Sequence, residues 1–265
     1  MIRFLNKTLK SSLIFFIIAL FYFLFLKYWV HKNAGGSVDL HLSRSVTGFW
    51  NIDNLNGHDV SLLSLTGSTL FYFFIVFVLS SLLGVVLGVL MGRFSKFGTA
   101  TMHFGNFFRV MPSLVFIVLF KYQFRFTETY VYFVGVFACI WPILINTKSG
   151  VETTNPTQRE AISLLRLPMR ETLFSFLLPK AFPSIWEGMR IAMGISFLIV
   201  ITCEYLNPGL LGLGALLRSY ELDLSPLVTM CIILWIGLIG IIINMVFDFI
   251  EEKIPLLNNQ FMIKN

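Results

Sequence analysis

The chain has 265 residues, of which 56% are hydrophobic and only 13% are charged. Soluble domains carry about 25% charged residues, so the composition excludes an ordinary soluble protein. The net charge of +6 is compatible with nucleic-acid binding. Membrane proteins, however, concentrate Lys and Arg in cytoplasmic loops, and this explains the charge without a nucleic-acid partner. The composition predicts an all-α integral membrane protein embedded in the lipid bilayer.

The first apolar run, at 13–26, follows three basic residues and resembles the start of a secretory signal peptide. No small-residue cleavage site follows it, which favours an uncleaved first span at about 9–30. The next stretch is polar and contains the turn-forming pair Asn56 and Gly57. The sequence therefore predicts that residues 1–67 form one span and an extracytoplasmic segment.

Five further apolar runs predict spans at about 69–92, 104–124, 129–145, 184–206 and 227–250. The second span carries Gly84, Gly88 and Gly92 at four-residue spacing. This spacing places small residues on one face and predicts close packing against another helix, with a pore lining as the alternative. In the third span, Pro112 predicts a kink or break. Arg109, in the same span, either snorkels to the interface or contacts a substrate.

One carboxyl group, that of Glu204, lies near the end of the fifth span. A Gly-rich loop containing Gly212 and Gly214 follows it. Glu204 could face a translocation pathway, brace this loop, or snorkel to the interface, and the sequence leaves these alternatives open.

An even number of spans places both termini on the same side of the membrane. With the N-terminus inside, the predicted cytoplasmic segments carry twelve Lys and Arg residues and the external segments carry five. The positive-inside rule therefore predicts cytoplasmic termini. It also makes the polar interval 146–183 a cytoplasmic loop within a membrane core at 68–255, followed by a tail at 256–265.

The interval 146–183 contains its own helix signals. Thr157 and Glu160 fit a capping box, in which each satisfies the backbone N–H of the other. Pro156, just before them, prevents a helix from continuing from upstream. A helix is predicted to begin at Thr157 and to carry the apolar residues Ala161, Ile162, Leu164 and Leu165.

A second helix is predicted to begin near Pro168, since proline suits the first turn of a helix. Pro179 and Pro183 then predict a break before the fifth span. A loop helix with an exposed apolar side either docks another protein or packs on its own membrane domain, and both alternatives remain open on these grounds.

The spacing of a known signature is occupied in this interval by Glu160, Ala161, Ile162, Arg166, Phe176, Leu178 and Pro179. The pattern resembles the signature of the membrane permease subunits of binding-protein-dependent ABC importers. That signature reads Glu-Ala-Ala, then Gly, then Ile-x-Leu-Pro. This chain departs from it where Arg166 replaces the Gly and Ile162 replaces the second Ala.

Further stretches resemble the nitrate, sulfonate and taurine branch of that family, in order over about 65–255. They are Arg109-Val110-Met111-Pro112, Asn146-Thr147 with Gly150-Val151 and Pro156, the run 188–194, Glu204, and Gly212-Leu213-Gly214.

The resemblance implies a type I ABC importer permease with about six transmembrane helices in the inner membrane of a bacterial cell. Its implied partners are cytoplasmic ATPase subunits, a second permease copy in a homodimer, and an extracytoplasmic substrate-binding protein. ATP and Mg would be bound by the ATPase, so the chain itself is expected to be no enzyme and to hold no cofactor or metal. The implied coupling residues are Thr157, Glu160, Ala161, Ile162, Leu164, Leu165 and Arg166.

The implied substrate is a small solute, with anions such as nitrate, a sulfonate or bicarbonate as candidates. Two alternatives from other classes are an ion-coupled secondary transporter and a non-transporting membrane scaffold. A secondary transporter favours internal repeats and charges near the membrane midplane, and the sequence has no clear repeat and few such charges.

Overall fold

A computed structural model of the protein describes residues 24, 28, 51–55, 58–93, 105, 107, 108, 111, 113–125, 127–152, 164, 168–207, 209–222 and 226–254. The chain divides into two compact units. One comprises Met1–Leu70 with Ile201–Asp248, and the other comprises Phe71–Val200 with Phe249–Asn265.

The described residues form two strands and a series of helices. They are β1 (Asn51–Leu55), β2 (His58–Ser61), α1 (Leu62–Arg93), α2 (Ser113–Gln123), α3 (Thr129–Glu152), α4 (Met169–Glu171), a π-helical segment (Thr172–Leu177), α5 (Leu178–Leu206), α6 (Leu213–Leu222) and α7 (Pro226–Lys253).

Four stretches are long and apolar enough to cross a membrane: Leu62–Arg93, Thr129–Glu152, Thr172–Leu206 and Val228–Lys253. These spans confirm the prediction of a helical, multi-pass membrane protein. The predicted first span at 9–30 lies almost wholly outside the described residues. The predicted third span is described only in part, by residues 105, 107, 108 and 111 and by the short helix α2. The total of six spans therefore stays a prediction.

A two-stranded antiparallel hairpin precedes the first described span, and it was not predicted. Asn51 pairs with Ser61 and Leu55 pairs with His58. The predicted turn at residues 56 and 57 lies between the strands but outside the described residues. The Ser61 hydroxyl oxygen accepts a hydrogen bond from the Ser64 N–H at 3.2 Å, which is an N-terminal cap. Helix α1 therefore begins seven residues earlier than the predicted start of its span.

The glycine spacing in α1 produces the close helix contact that the sequence predicts. A Cβ atom at each of these glycines would lie within 2.8 Å of a Cβ atom on α3. The pairs are Gly84 with Ile143, Gly88 with Thr147, and Gly92 with Val151. Because each pair is one helical turn from the next, α1 and α3 pack together along three turns.

Helix α3 does not end at the predicted position, since it continues past residue 145 to Glu152. The polar residues responsible for the predicted boundary are packed inside the protein. Lys148 is buried and forms an ion pair with Glu152 at 3.1 Å. Val151 belongs to a buried cluster with Ala181 and Ile185 of α5. The beginning of the predicted loop is therefore part of a membrane helix.

The predicted break at the end of the loop is also wrong. The helix is continuous from Met169 through the π-helical segment to Leu206, with Pro183 inside α5 and Pro179 in its first turn. The π-helical turn directly precedes these prolines. The irregularity that prolines impose thus changes the helix type locally and does not interrupt the helix. The polar interval outside these helices is reduced to about residues 153–168.

Helix α6 occupies a stretch that was predicted as loop. Leu213, Ala215 and Leu216 on it are buried, whereas Glu221 and Leu222 are exposed. Its ten residues are too few to cross a membrane, and a helix with one apolar face packs along the protein surface instead.

Candidate functional site

The Glu204 carboxyl group is buried near the end of α5, where no part of the residue is exposed. Its Oε2 accepts hydrogen bonds from the Thr69 hydroxyl at 2.9 Å and from the Gly214 N–H at 3.0 Å. The Thr69 oxygen in turn accepts a hydrogen bond from the Leu213 N–H at 2.9 Å. Of the alternatives that the sequence left open, snorkelling to the interface is inconsistent with this burial.

These bonds cap the beginning of α6 from other parts of the chain. The first N–H groups of a helix have no partner within the helix, and they also form its positive end. Here Leu213 and Gly214 are the first two residues of α6, and their N–H groups are satisfied by Thr69 and Glu204. The capping oxygens therefore come from α1 and α5, and they fix where α6 begins.

The two glycines of the loop make room for this carboxyl group. A Cβ atom at Gly212 would overlap the Glu204 carboxyl group itself. A Cβ atom at Gly214 would overlap the backbone oxygen of Ile201, one turn earlier in α5. Any side chain at either position would push α6 away from α5. We call Thr69, Glu204, Gly212, Leu213 and Gly214 the carboxyl clamp.

The second carboxyl oxygen of Glu204 is the unusual part of the clamp. Oε1 is buried and has no hydrogen-bond partner among the described residues. A buried acceptor without a partner costs about 1–3 kcal/mol, and more when it is charged. The clamp therefore keeps one carboxyl oxygen satisfied and leaves the other one desolvated.

The far end of α6 is attached to the same turn of α5. The Tyr205 hydroxyl donates to the Glu221 carboxylate. The Arg218 guanidinium donates to the backbone oxygen of Tyr205 at 3.1 Å. Helix α6 is thus held to the end of α5 at both of its ends.

A second buried threonine lies one turn from the clamp on α1. The Thr66 hydroxyl donates to the Leu62 backbone oxygen at 2.8 Å and accepts from the Trp235 indole N–H at 3.0 Å. Thr66 contributes to packing between α1 and α7, and no hydrogen bond joins it to Glu204.

A separate cavity of about 410 Å³ lies within the unit that contains Phe71–Val200. Aromatic side chains form much of its wall: Phe108, Phe116, Phe137 and Trp141. Phe108 stacks on Trp141 with ring centroids 5.5 Å apart. The Trp141 indole nitrogen is buried without a hydrogen-bond partner among the described residues. The described part of the wall carries no ionisable side chain, so it favours an apolar or weakly polar occupant.

The coupling residues predicted from Thr157 to Arg166 lie outside the described residues, with one exception. Leu164 is helical, and 82% of its surface is exposed. Arg109 and Pro112 also lie outside the described part of the chain. The roles predicted for all of these residues stay predictions. The described residues contain no cluster of His, Cys, Asp and Glu that could hold a metal ion.

Sequence reasoning identified Glu204, Gly212 and Gly214 as candidates but missed Thr69. Threonine is common near the ends of spans, and Thr69 is 135 residues from its carboxyl partner. No local pattern could have linked the two residues. Only the structure, or correlated variation among relatives, could have found this contact.

Comparison with known proteins identifies the protein family to which the chain belongs. Residues 80–254 match the family described as the binding-protein-dependent transport system inner membrane component, and the chain belongs to this family. Together with the four apolar spans, this membership makes the chain a multi-pass protein of the inner membrane.

Individual relatives indicate which members of this family the chain is similar to. The chain is 32% identical over 178 residues to a protein of Methanocaldococcus jannaschii provisionally named an ABC transporter permease protein. It is 27% identical over 178 residues to the nitrate import permease protein of Leptolyngbya laminosa. It is 27% identical over 169 residues to the bicarbonate transport system permease protein of Synechococcus elongatus. The matches cover 63–67% of this chain and 60–66% of the relatives, so the chain spans less than two thirds of their length.

Proposed function

We propose that this chain is the membrane-spanning permease subunit of an ATP-driven importer and that two copies form the translocation pathway. The observation that carries this proposal is the family match over 80–254. This match includes three of the four apolar spans completely and the end of the first. The amino-acid sequence contains no phosphate-binding loop, so the energy would come from ATP and Mg bound by a separate ATPase.

The contact with the ATPase is proposed to be the helix that begins at Thr157. It lies in the polar interval between the end of α3 at Glu152 and the start of α4 at Met169. Both flanking helices belong to membrane spans, so a force on the interval would reach two spans directly. Closure of the ATPase would bring the two coupling helices of a dimer together and open the outer side, where a substrate-binding protein delivers its cargo.

The proposed substrate is a small polyatomic anion. This proposal rests on the names of the relatives, which are a nitrate import permease and a bicarbonate transport permease. The described wall of the aromatic cavity offers such an anion no cation. Selection of the anion is therefore assigned to the partner binding protein.

A charge-reversal experiment tests the coupling contact. The chain is co-expressed with its proposed partner ATPase, and Glu160→Lys is expected to abolish co-purification of the ATPase. Glu128→Lys makes the same charge change at an exposed residue on the predicted opposite side and is the matched control. Normal co-purification with Glu160→Lys, at wild-type amounts of membrane protein, would show that the coupling contact is wrong.

Uptake into proteoliposomes tests the transport activity itself. The complex with its ATPase and binding protein is expected to take up nitrate or radiolabelled bicarbonate only when ATP is present. Uptake that follows an ion gradient without ATP would support a secondary transporter instead. Absence of uptake under both conditions, with the ATPase bound, would support a scaffold.

A further inference from the structure

The carboxyl clamp contains a group that stability alone does not explain. An ionisable side chain within a membrane span is expensive unless it is paired. The two hydrogen bonds to Glu204 come from neutral donors, the Thr69 hydroxyl and the Gly214 N–H. The nearby Arg218 guanidinium donates to the backbone oxygen of Tyr205 instead. Replacing every member of a buried polar group by apolar side chains is often neutral or stabilising, whereas removing the carboxyl group alone would leave the Gly214 N–H without its acceptor.

The unpartnered Oε1 makes the clamp less stable than its two hydrogen bonds would suggest. A native protein rarely leaves a buried acceptor unsatisfied, and each case requires an explanation. The chain therefore retains a costly carboxyl group at the junction of α5 and α6, and this cost favours a role for Glu204 beyond stabilising the fold.

The glycines support the same conclusion. Gly212 leaves room for the carboxyl group, and Gly214 leaves room for the backbone of α5. Gly214 lies inside α6, and glycine within a helix is less favourable than alanine. A glycine that disfavours helix and a desolvated carboxyl oxygen therefore occur at the same place, the start of α6. Both allow the Glu204 carboxyl group to lie against the first N–H groups of that helix.

We propose that Glu204 is a positioning residue that latches the start of α6 onto the end of α5, and that transport requires this latch. The proposal rests on the proposed importer function, in which this end of α5 faces the outside. With the latch formed, α6 and the end of α5 move as one body when the spans rearrange. Without it, the spans rearrange while α6 stays behind, so ATP is hydrolysed without movement of substrate.

Four variants test the latch. Glu204→Met replaces the carboxyl group by an apolar side chain of similar length. Thr69→Val removes the hydroxyl that joins Leu213 to Glu204. Glu204→Gln retains an oxygen that accepts from both donors. Thr66→Val is the matched control, since it removes a buried hydroxyl one turn away on the same helix without touching the clamp.

The first measurement is hydrogen exchange of the α6 N-terminus in the purified complex, followed by mass spectrometry. Losing a buried hydrogen bond is expected to raise exchange of the peptide containing residues 213 and 214 by about tenfold. Glu204→Met and Thr69→Val should show this increase, whereas Glu204→Gln should show much less and Thr66→Val none. Unchanged exchange in Glu204→Met would overturn the latch.

The second measurement is the ratio of anion taken up to ATP hydrolysed in proteoliposomes, with nitrate and radiolabelled bicarbonate as probes. The latch predicts that this ratio falls about tenfold or more in Glu204→Met, measured at a temperature at which the variant complex is still folded. Glu204→Gln should restore most of the ratio. A wild-type ratio in Glu204→Met would mean that the carboxyl group has only a structural role.

The two measurements separate the latch from the function on which it rests. If the wild-type complex shows no ATP-driven uptake, the proposed importer function fails. The exchange measurement then still decides whether the carboxyl group holds α6, because it requires no transport.

Discussion

At the scale of single residues, the two glycines of the carboxyl clamp are constrained by different neighbours. The space at Gly212 is filled by the Glu204 side chain, which a mutation can remove. The space at Gly214 is filled by the backbone oxygen of Ile201, which no mutation can remove. The loss of stability caused by an alanine at each position should therefore change differently when the carboxyl group is removed.

Gly212→Ala and Gly214→Ala are each expected to destabilise the protein by about 1–3 kcal/mol, the usual cost of forcing an extra methyl group into a packed site. Combined with Glu204→Ala, Gly212→Ala should add little further destabilisation, because the group that it overlaps is gone. Gly214→Ala should remain nearly as damaging in the Glu204→Ala background. Thermal unfolding of the six proteins in detergent measures both couplings.

The control for this prediction is Gly194→Ala in α5, where a new Cβ atom would meet nothing within 4 Å. Its effect should be neutral or slightly stabilising, and equal in both backgrounds, since alanine favours helix. Equal coupling of Glu204→Ala with Gly212→Ala and with Gly214→Ala would contradict the geometry of the clamp, since coupling is expected only between groups that touch.

At the scale of helices, contact along three turns joins α1 to α3. The contact depends on the absence of side chains at every fourth residue of α1, so its strength is a property of the whole face. The central pair is the tightest, because a Cβ atom at Gly88 would lie 2.6 Å from the Thr147 Cβ and 2.8 Å from the Leu144 backbone oxygen.

Gly88→Ala is expected to lower stability by about 1–3 kcal/mol, because the helices must separate to admit one methyl group. Gly67→Ala is the matched control on the same helix, where the new methyl group would lie in open space. It should be neutral or slightly stabilising, since alanine favours helix. The apparent melting temperature of each variant in detergent tests the difference, and equal values would contradict close packing at Gly88.

The same helices show what the sequence could and could not predict. Apolar runs located the four described spans, because lipid selects apolar residues wherever a helix faces it. Helix ends were predicted less well. Lys148 and Gly150 were predicted to lie in a loop. Both are buried in α3, where it packs against other helices and not against lipid. Hydropathy reports contact with lipid and says little about a polar helix end that is buried in protein.

Long-range contacts were beyond the reach of sequence patterns. Capping of α6 depends on Thr69, which is far away in the chain, and the local sequence near Leu213 therefore read as a loop. The glycine spacing in α1, by contrast, was predictive, because its partner residues need no particular chemistry beyond proximity. A contact is predictable from one sequence when one partner alone determines it.

At the scale of the whole molecule, the charge distribution predicts both termini in the cytoplasm and α6 on the outside. Leu222, at the end of α6, is 69% exposed and offers a site for labelling. Among the native cysteines, Cys139 and Cys203 are buried and Cys231 is half-buried in α7. The wild-type protein should therefore react slowly with a bulky, charged thiol reagent.

In spheroplasts, a membrane-impermeant maleimide is expected to label Leu222→Cys without lysis. A cysteine added after Asn265 should be labelled only after lysis, since the positive-inside rule retains the tail in the cytoplasm. The wild-type protein controls for labelling of native cysteines. The reverse pattern would invert the topology, moving the coupling interval to the outside, where it could not meet a cytoplasmic ATPase. One predicted span, α7, lies between the two labelled positions. Labelling of both cysteines without lysis would therefore mean that α7 does not cross the membrane.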